Sequence, residues 1–221
     1  MESLDYLYNL MDESIITILG YDFTHEYLKD EFISRLKHYN VGEINSSFDV
    51  KSTIRDIKLD SILGDGRECE YLVLDTMDII VKKEDAGMSK ALNIKMILET
   101  FRTELLRKWD EQNETEFGLD FDDPQSHQQV KFKPDYKLLV TSPTYRTVGK
   151  ELNFGGRSFS GGNHSLYVAD LAGVITKDKL FEKPYIKLIK NRSGSNKVDI
   201  SIEDIIKTAN RDRKINSILP K

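Results

Sequence analysis

Residues 70–80 read EYLVLDTMDII, an apolar and β-branched run that is interrupted by one acid, Asp75. Such a run is typical of a strand that is buried on both faces of a parallel sheet. An acid at the end of a buried strand is costly to desolvate unless a positive charge compensates it. Asp75 therefore predicts either a ligand site at the carboxyl end of this strand or an ordinary cap of the segment that follows.

Strands and helices alternate on either side of this run. Short apolar stretches predict further strands over residues 14–21, 136–141, 171–176 and 185–189. Apolar residues recur at helical spacing in residues 1–13, 24–40, 50–63 and 92–109, and again from residue 202 onward. This alternation predicts an α/β fold with a mostly parallel sheet flanked by helices. We expect residues 1–202 to form the core and residues 203–221 to form a closing helix with a basic tail.

Composition limits the class of protein. The chain has 221 residues, of which 39% are apolar and 31% charged, and this balance suits a folded core rather than a disordered chain. Its single cysteine, Cys69, allows no internal disulfide and suits a reducing compartment. No apolar run approaches the roughly 18 residues of a membrane span. The sequence therefore predicts a cytoplasmic protein that has no membrane partner.

Charge is divided unevenly along the chain. The net charge is −5, but residues 1–143 hold 17 basic and 29 acidic residues (−12), whereas residues 144–221 hold 15 and 8 (+7). Seven acids and no base in residues 110–123 predict a solvated acidic insertion over residues 110–135. The average charge argues against a generally basic nucleic-acid binder, whereas the second part of the chain offers basic surface for one.

Three further features suit phosphate chemistry. Asp22 follows the first predicted strand, where it either joins Asp75 in a metal-phosphate site or simply caps the next helix. Residues 147–163, TVGKELNFGGRSFSGGN, contain five glycines and form either a phosphate-binding, base-stacking loop or a disordered connection. Lys190 and Arg192 follow a predicted strand and suit either phosphate recognition or a solvated turn. The chain contains no GxxxxGK[ST] phosphate loop.

Taken in order, these stretches resemble the core of the bacterial RecA recombinases over about residues 15–202, from after the P-loop helix onward. Residues 20–25, GYDFTH, are similar to the strand end that carries the family's water-activating glutamate, and residues 71–80 resemble its Walker B strand. Residues 82–96 and 145–175 resemble the two DNA-binding loops. The most specific match is SGGN at residues 160–163, where the family has Thr-Gly-Gly-Asn.

The resemblance implies ATP and Mg²⁺ as cofactors, with Asp75 as the metal ligand. It implies catalytic roles for Glu26 and Asp22, because Thr24 stands where the family has its glutamate. In RecA-like proteins and DnaB-type helicases, residues placed like Lys190 and Arg192 reach the γ-phosphate bound by a neighbouring subunit, which implies a filament or ring. The residues implied to bind DNA are Arg146, Lys150, Phe154, Arg157, Phe159, Gly161, Gly162 and Asn163.

Three functions remain open from the sequence. The leading hypothesis, which SGGN at residues 160–163 and the triplet Lys190-Asn191-Arg192 favour, is a recombination and repair protein that binds single-stranded DNA and uses ATP in strand exchange, with its Walker A segment supplied by a complementary N-terminal fragment. The second is part of a DnaB-like replicative helicase. The third is a degenerate module that binds DNA or filaments without hydrolysis. Thr24, Pro143 in place of a γ-phosphate-sensing glutamine, and the missing phosphate loop favour this third function.

Overall fold

The computed structural model of the chain describes residues 2–62, 69–77, 89–116, 136–144, 159, 162–177, 183–194 and 198–218. Within these residues the strands are β1 (Ile16–Tyr21), β2 (His38–Asn40), β3 (Tyr71–Leu74), β4 (Lys137–Pro143), β5 (Leu171–Thr176), β6 (Tyr185–Asn191) and β7 (Asp199–Ser201). The helices are α1 (Leu4–Asp12), α2 (Glu26–Ser34), α3 (Ser47–Ile62), α4 (Lys90–Glu116), α5 (Gly162–Val168) and α6 (Glu203–Ile218). A short 3₁₀ turn, Phe23–His25, joins β1 to α2.

These strands form one sheet in the order β2-β3-β4-β1-β5-β6-β7. The first five strands in this order run parallel. Strand β6 pairs antiparallel with β5, and β7 pairs antiparallel with β6. Strand β1 lies between β4 and β5, in the parallel part of the sheet. The predicted fold class, an α/β core with a mostly parallel sheet flanked by helices, is confirmed.

The core has two layers because strand side chains alternate between the two faces of the sheet. Ile16 and Ile18 of β1 pack on the face that buries apolar residues of α3 and α4. Leu19 and Tyr21 point to the other face, where α1, α2 and α6 supply the apolar side chains. Both faces of β1 are thus buried, which explains why its sequence is almost continuously apolar.

Several elements differ from the sequence-based expectation. Strands β2 and β7 were not predicted, because three residues are too few to show a periodic pattern. Helix α5 begins at the end of the predicted 147–163 loop. Helix α4 continues to Glu116, so the first seven residues of the predicted acidic insertion are helical, whereas residues 117–135 lie outside the described part. No helix in the described residues is long and apolar enough to cross a membrane.

Candidate functional site

The carboxyl end of β1 is the place where an open α/β sheet offers a ligand crevice. From β1 the chain crosses past β4 and β3 to β2, whereas from β4 it crosses past β1 to β5, in the opposite direction along the sheet. Ligands of such sheets bind where the strand order reverses in this way, outside the carboxyl ends of the strands. The turn after β1, the start of α2 and the end of β3 therefore form the candidate site.

The turn between β1 and α2 is closed by its own carboxylate. Asp22 is the N-cap of the Phe23–His25 turn, and its Oδ1 accepts a hydrogen bond from the backbone N–H of Thr24 at 2.9 Å. The hydroxyl of Thr24 donates to the same oxygen, and Nδ1 of His25 lies 2.9 Å from it. Asp22 therefore caps the 3₁₀ turn that precedes α2, whereas the N-cap of α2 itself, the helix that Asp22 was predicted to cap, is His25. Glu26, exposed in the first turn of α2, places a second acid beside it.

Asp75 follows β3 and is held by a cation from α2. Lys29 Nζ lies 2.9 Å from Oδ1 and 2.7 Å from Oδ2 of Asp75, so that it bridges both oxygens. The hydroxyl of Thr141, on β4, donates to Oδ1 at 2.5 Å. Asp30 adds a second carboxylate, with its Oδ1 2.8 Å from the same ammonium. The positive charge that a buried acid at Asp75 requires is therefore supplied by the Lys29 ammonium of the same chain.

The ammonium of Lys29 is buried beneath α2. Its side chain is only 3% exposed, and Nζ lies 5.2 Å from the centroid of the Tyr21 ring. Burial acts to lower the pKa of Lys29, but hydrogen bonds to Asp30 and Asp75 outweigh it and raise this pKa above its ordinary value. Burial also raises the pKa of Tyr21 to about 12, because its ionised form would be poorly solvated. Lys29 is therefore held in its charged form.

The described residues at this edge, which exclude residues 78–88 and 145–158, do not fit the Mg²⁺ and ATP that the resemblance implies. Mg²⁺ requires oxygen ligands in near-octahedral geometry, whereas both oxygens of Asp75 bind Lys29. In the described residues, no group of three or more His, Cys, Asp or Glu side chains is placed to hold a metal ion. Phosphates bind at helix starts, where Glu26, in the first turn of α2, would place a like charge beside them, and the Thr24 amide of the preceding 3₁₀ turn binds Asp22.

Lys190 and Arg192 lie at the opposite end of the parallel strands, where β5 begins. Because β6 is antiparallel to β5, Lys190 pairs with Ala172, near the start of β5. Lys190 and Arg192 thus do not join Asp75 around one nucleotide within a single copy. Their predicted contact with a nucleotide on a neighbouring subunit is untested and stays a prediction.

The predicted DNA-binding residues fall into two groups. The first lies outside the described residues and consists of Arg146, Lys150, Phe154, Arg157 and Gly161. In the second group, Phe159 is 3% exposed and belongs to the apolar core, so its ring is not available to a base in this structure. Gly162 begins α5, and Asn163 is exposed on that helix.

No protein-family model matches the chain, and no curated protein matches its sequence. Solved structures similar to it include one described as an ATPase domain, at 9% sequence identity and a TM-score of 0.48, covering 88% of this chain and 84% of that one. Another is a KaiC-like protein from the hyperthermophilic archaeon Pyrococcus horikoshii OT3, at 10% identity and a TM-score of 0.39, covering 85% and 84%. These are similarities of fold, and they assign no role to any residue.

Sequence reasoning missed Lys29 as the partner of Asp75. The two residues are 46 positions apart, and a lysine within a helix is ordinarily a solvated residue. One signal was available, because an acid after a buried strand requires compensation, and Lys29 is a base in the helix that follows β1, a parallel strand separated from β3 by β4. Thr141 could not be recognised, since a hydroxyl in a buried strand has many possible partners.

Proposed function

We propose that this chain is a RecA-type module that binds single-stranded DNA and does not hydrolyse ATP at its own sheet edge. The observation that carries this proposal is the contact of Lys29 Nζ with both oxygens of Asp75, at 2.9 and 2.7 Å. An ammonium group in this position supplies the positive charge that a metal ion would supply. Among the described residues, Asp75 therefore has a cation without a nucleotide-bound metal ion.

The turn after β1 supports the absence of ATP turnover. It has four residues, Asp22 to His25, and the backbone N–H of Thr24 already donates a hydrogen bond to the Asp22 carboxylate. Binding of a triphosphate there would bring its negative charge against Asp22 and Glu26. Asp22 and Glu26, which the resemblance implies to be catalytic, act in this proposal as a capping residue and an exposed acid.

The basic second part of the chain supports the binding of DNA. Residues 144–221 carry a net charge of +7, and the glycine-rich segment with SGGN lies within them. Sequence-independent binding of single strands rests on cations that contact phosphates and on aromatic rings that stack on bases. Assembly of copies into a filament or a ring belongs to the same proposal, with Arg192 available at an interface.

The first test measures binding and hydrolysis of ATP by the full chain in the presence of Mg²⁺. We expect no binding in a calorimetric titration and no release of phosphate, with or without single-stranded DNA. The variant Asp75→Asn serves as the matched control, because it removes the acid that directly follows β3. Phosphate release by the wild-type chain that is abolished in Asp75→Asn would contradict the proposal.

A second test separates the two hydrolysing alternatives. The chain is mixed with a fragment that carries a GxxxxGK[ST] strand and helix, and ATP hydrolysis, strand pairing and fork unwinding are measured. Hydrolysis with homologous pairing would support a recombinase, and hydrolysis with unwinding would support a DnaB-like helicase. We expect neither activity.

A third test addresses DNA binding directly. Arg157→Ala and Lys150→Ala are expected to weaken binding to a labelled oligothymidylate, because each cation paired with a phosphate releases condensed counterions. The slope of log affinity against log salt should fall by about 1 in each variant. Absence of binding by the wild-type chain would refute the DNA-binding part of the proposal.

A further inference from the structure

An exposed aromatic ring lies among cations near the carboxyl end of α5. Tyr167 is 71% exposed, and Nζ of Lys95, on α4, lies 5.4 Å from the centroid of its ring. We call the surface formed by Lys95, Tyr167, Lys190 and Arg192 the Tyr167 surface. A ring of such exposure offers a flat apolar face to a ligand, next to a positive charge.

Two cations, Lys190 of this surface and the adjacent Arg102, are held by backbone carbonyls of α5. Lys190 Nζ donates hydrogen bonds to the carbonyl oxygens of Leu166 at 2.5 Å and Tyr167 at 3.1 Å. Arg102 donates to the carbonyl of Val168 at 2.7 Å. Carbonyls at a helix end attract cations, so these contacts join α4, α5 and β6 into one rigid support for the Tyr167 ring.

Positive charge exceeds negative charge among the described residues at this place. Oδ1 of Asp170 is shared between Arg102, at 2.7 Å, and Arg192, at 2.9 Å. With Lys190 beside them, three cations of the described chain face one carboxylate, and the Arg192 side chain is 53% exposed. Lys95 is paired with Glu99, its Nζ lying 3.5 Å from Oε1, so four described cations at this place stand against two acids. Burial lowers the pKa of Lys190, and the neighbouring charge of Arg192 lowers it further. An incoming anion would relieve this repulsion.

We infer that the Tyr167 surface binds single-stranded nucleic acid, with a base stacked on the Tyr167 ring and phosphates at Lys95 and Arg192. An aromatic platform beside fixed cations is the combination that binds single strands, since an unpaired base can leave its stack and meet the ring. Helix α5, which carries Tyr167, begins at Gly162, the third residue of the SGGN motif. The inference rests on the DNA-binding part of the proposed function.

The test compares the affinities of full-length variants for a labelled oligothymidylate by fluorescence anisotropy. Tyr167→Ala is expected to bind about 5- to 150-fold more weakly, and Tyr167→Phe, which keeps the ring, about as well as the wild type. Arg192→Gln should reduce the salt slope by about 1. Phe48→Ala is the matched control, because Phe48 is 77% exposed on α3 and should leave the affinity unchanged. Melting temperatures establish that all four variants are folded.

The outcomes separate this inference from the proposed function. If Arg157→Ala weakens binding while Tyr167→Ala and Arg192→Gln bind as the wild type does, the inference is overturned and the DNA-binding function stands. If the wild-type chain binds no oligonucleotide, both are overturned. If Tyr167→Ala changes the sedimentation of the DNA-free protein but leaves its affinity for DNA unchanged, the Tyr167 surface mediates contact between two copies of the chain. The inference is then overturned.

Discussion

At the scale of single residues, the Lys29 ammonium determines the charge balance at the carboxyl end of β3. Lys29→Met keeps most of the side-chain volume but leaves Asp75, whose side chain is 34% exposed, without its cation. We expect the free energy of unfolding to fall by about 1–3 kcal/mol, less than for a fully buried pair, because water reaches Asp75. Urea denaturation of the two proteins measures this difference.

The control for this variant is an ion pair on the surface. Lys183 Nζ lies 3.1 Å from Glu203, and both side chains are more than half exposed. Lys183→Met should therefore change stability by less than about 0.5 kcal/mol. In a double-mutant cycle, Lys29→Met with Asp75→Asn should lose less than the sum of the single losses. Strictly additive losses would contradict a direct Lys29–Asp75 interaction.

The phenol of Tyr21 makes stability depend on alkaline pH. The ordinary pKa of tyrosine is 10.0, whereas that of folded Tyr21 is about 12, so the unfolded chain loses the proton first. This contribution to stability is complete below pH 10.0 and declines as the pH rises toward about 12. The raised pKa of Lys29 acts in the same direction. Tyr21→Phe should lose less stability than the wild type between about pH 10 and 11 in urea denaturation, and equal losses would argue against this assignment.

Among the secondary-structure elements, β1 approaches Phe159 and Thr144 closely because residue 20 is a glycine. A Cβ at this position would lie 2.7 Å from Cε1 of Phe159 and 2.8 Å from Cγ2 of Thr144. Gly20→Ala should therefore cost about 1–3 kcal/mol through overpacking. Gly42→Ala is the control, since no atom lies within 4 Å of the added Cβ. Thermal unfolding should separate the two variants, and an equally small shift in both would show that the layer can relax.

The boundaries of the strands show how much of the fold could be predicted from the sequence. Strands such as β5 were predicted with their observed ends, because a buried parallel strand is a continuous apolar run. Strand β3 ends at Leu74, earlier than residue 80, because Asp75 turns to Lys29, a contact that apolar patterning does not encode. The contact depends on how α2, which shares a core layer with Val73 of β3 and Leu139 of β4, lies against the sheet. The Tyr167 surface likewise joins three elements and has no linear motif.

At the scale of the whole molecule, the uneven charge predicts association of copies that does not depend on a nucleotide. Residues 1–143 carry −12 and residues 144–221 carry +7, so unlike parts of two copies attract one another. Sedimentation velocity should detect larger species at about 50 mM salt and fewer at about 500 mM, because salt screens these charges. Addition of ATP and Mg²⁺ should change neither distribution. Association that requires ATP would contradict this expectation.

The ion pair between Lys29 and Asp75 also constrains how this sequence evolves. Loss of Lys29 alone leaves Asp75 without its cation, and loss of Asp75 alone leaves the buried ammonium to the exposed carboxylate of Asp30, so relatives should retain both residues or replace both. The turn from Asp22 to His25 adds a second restriction. A phosphate cradle at this place would require a longer, glycine-containing turn together with the release of Lys29, so no single substitution would create one.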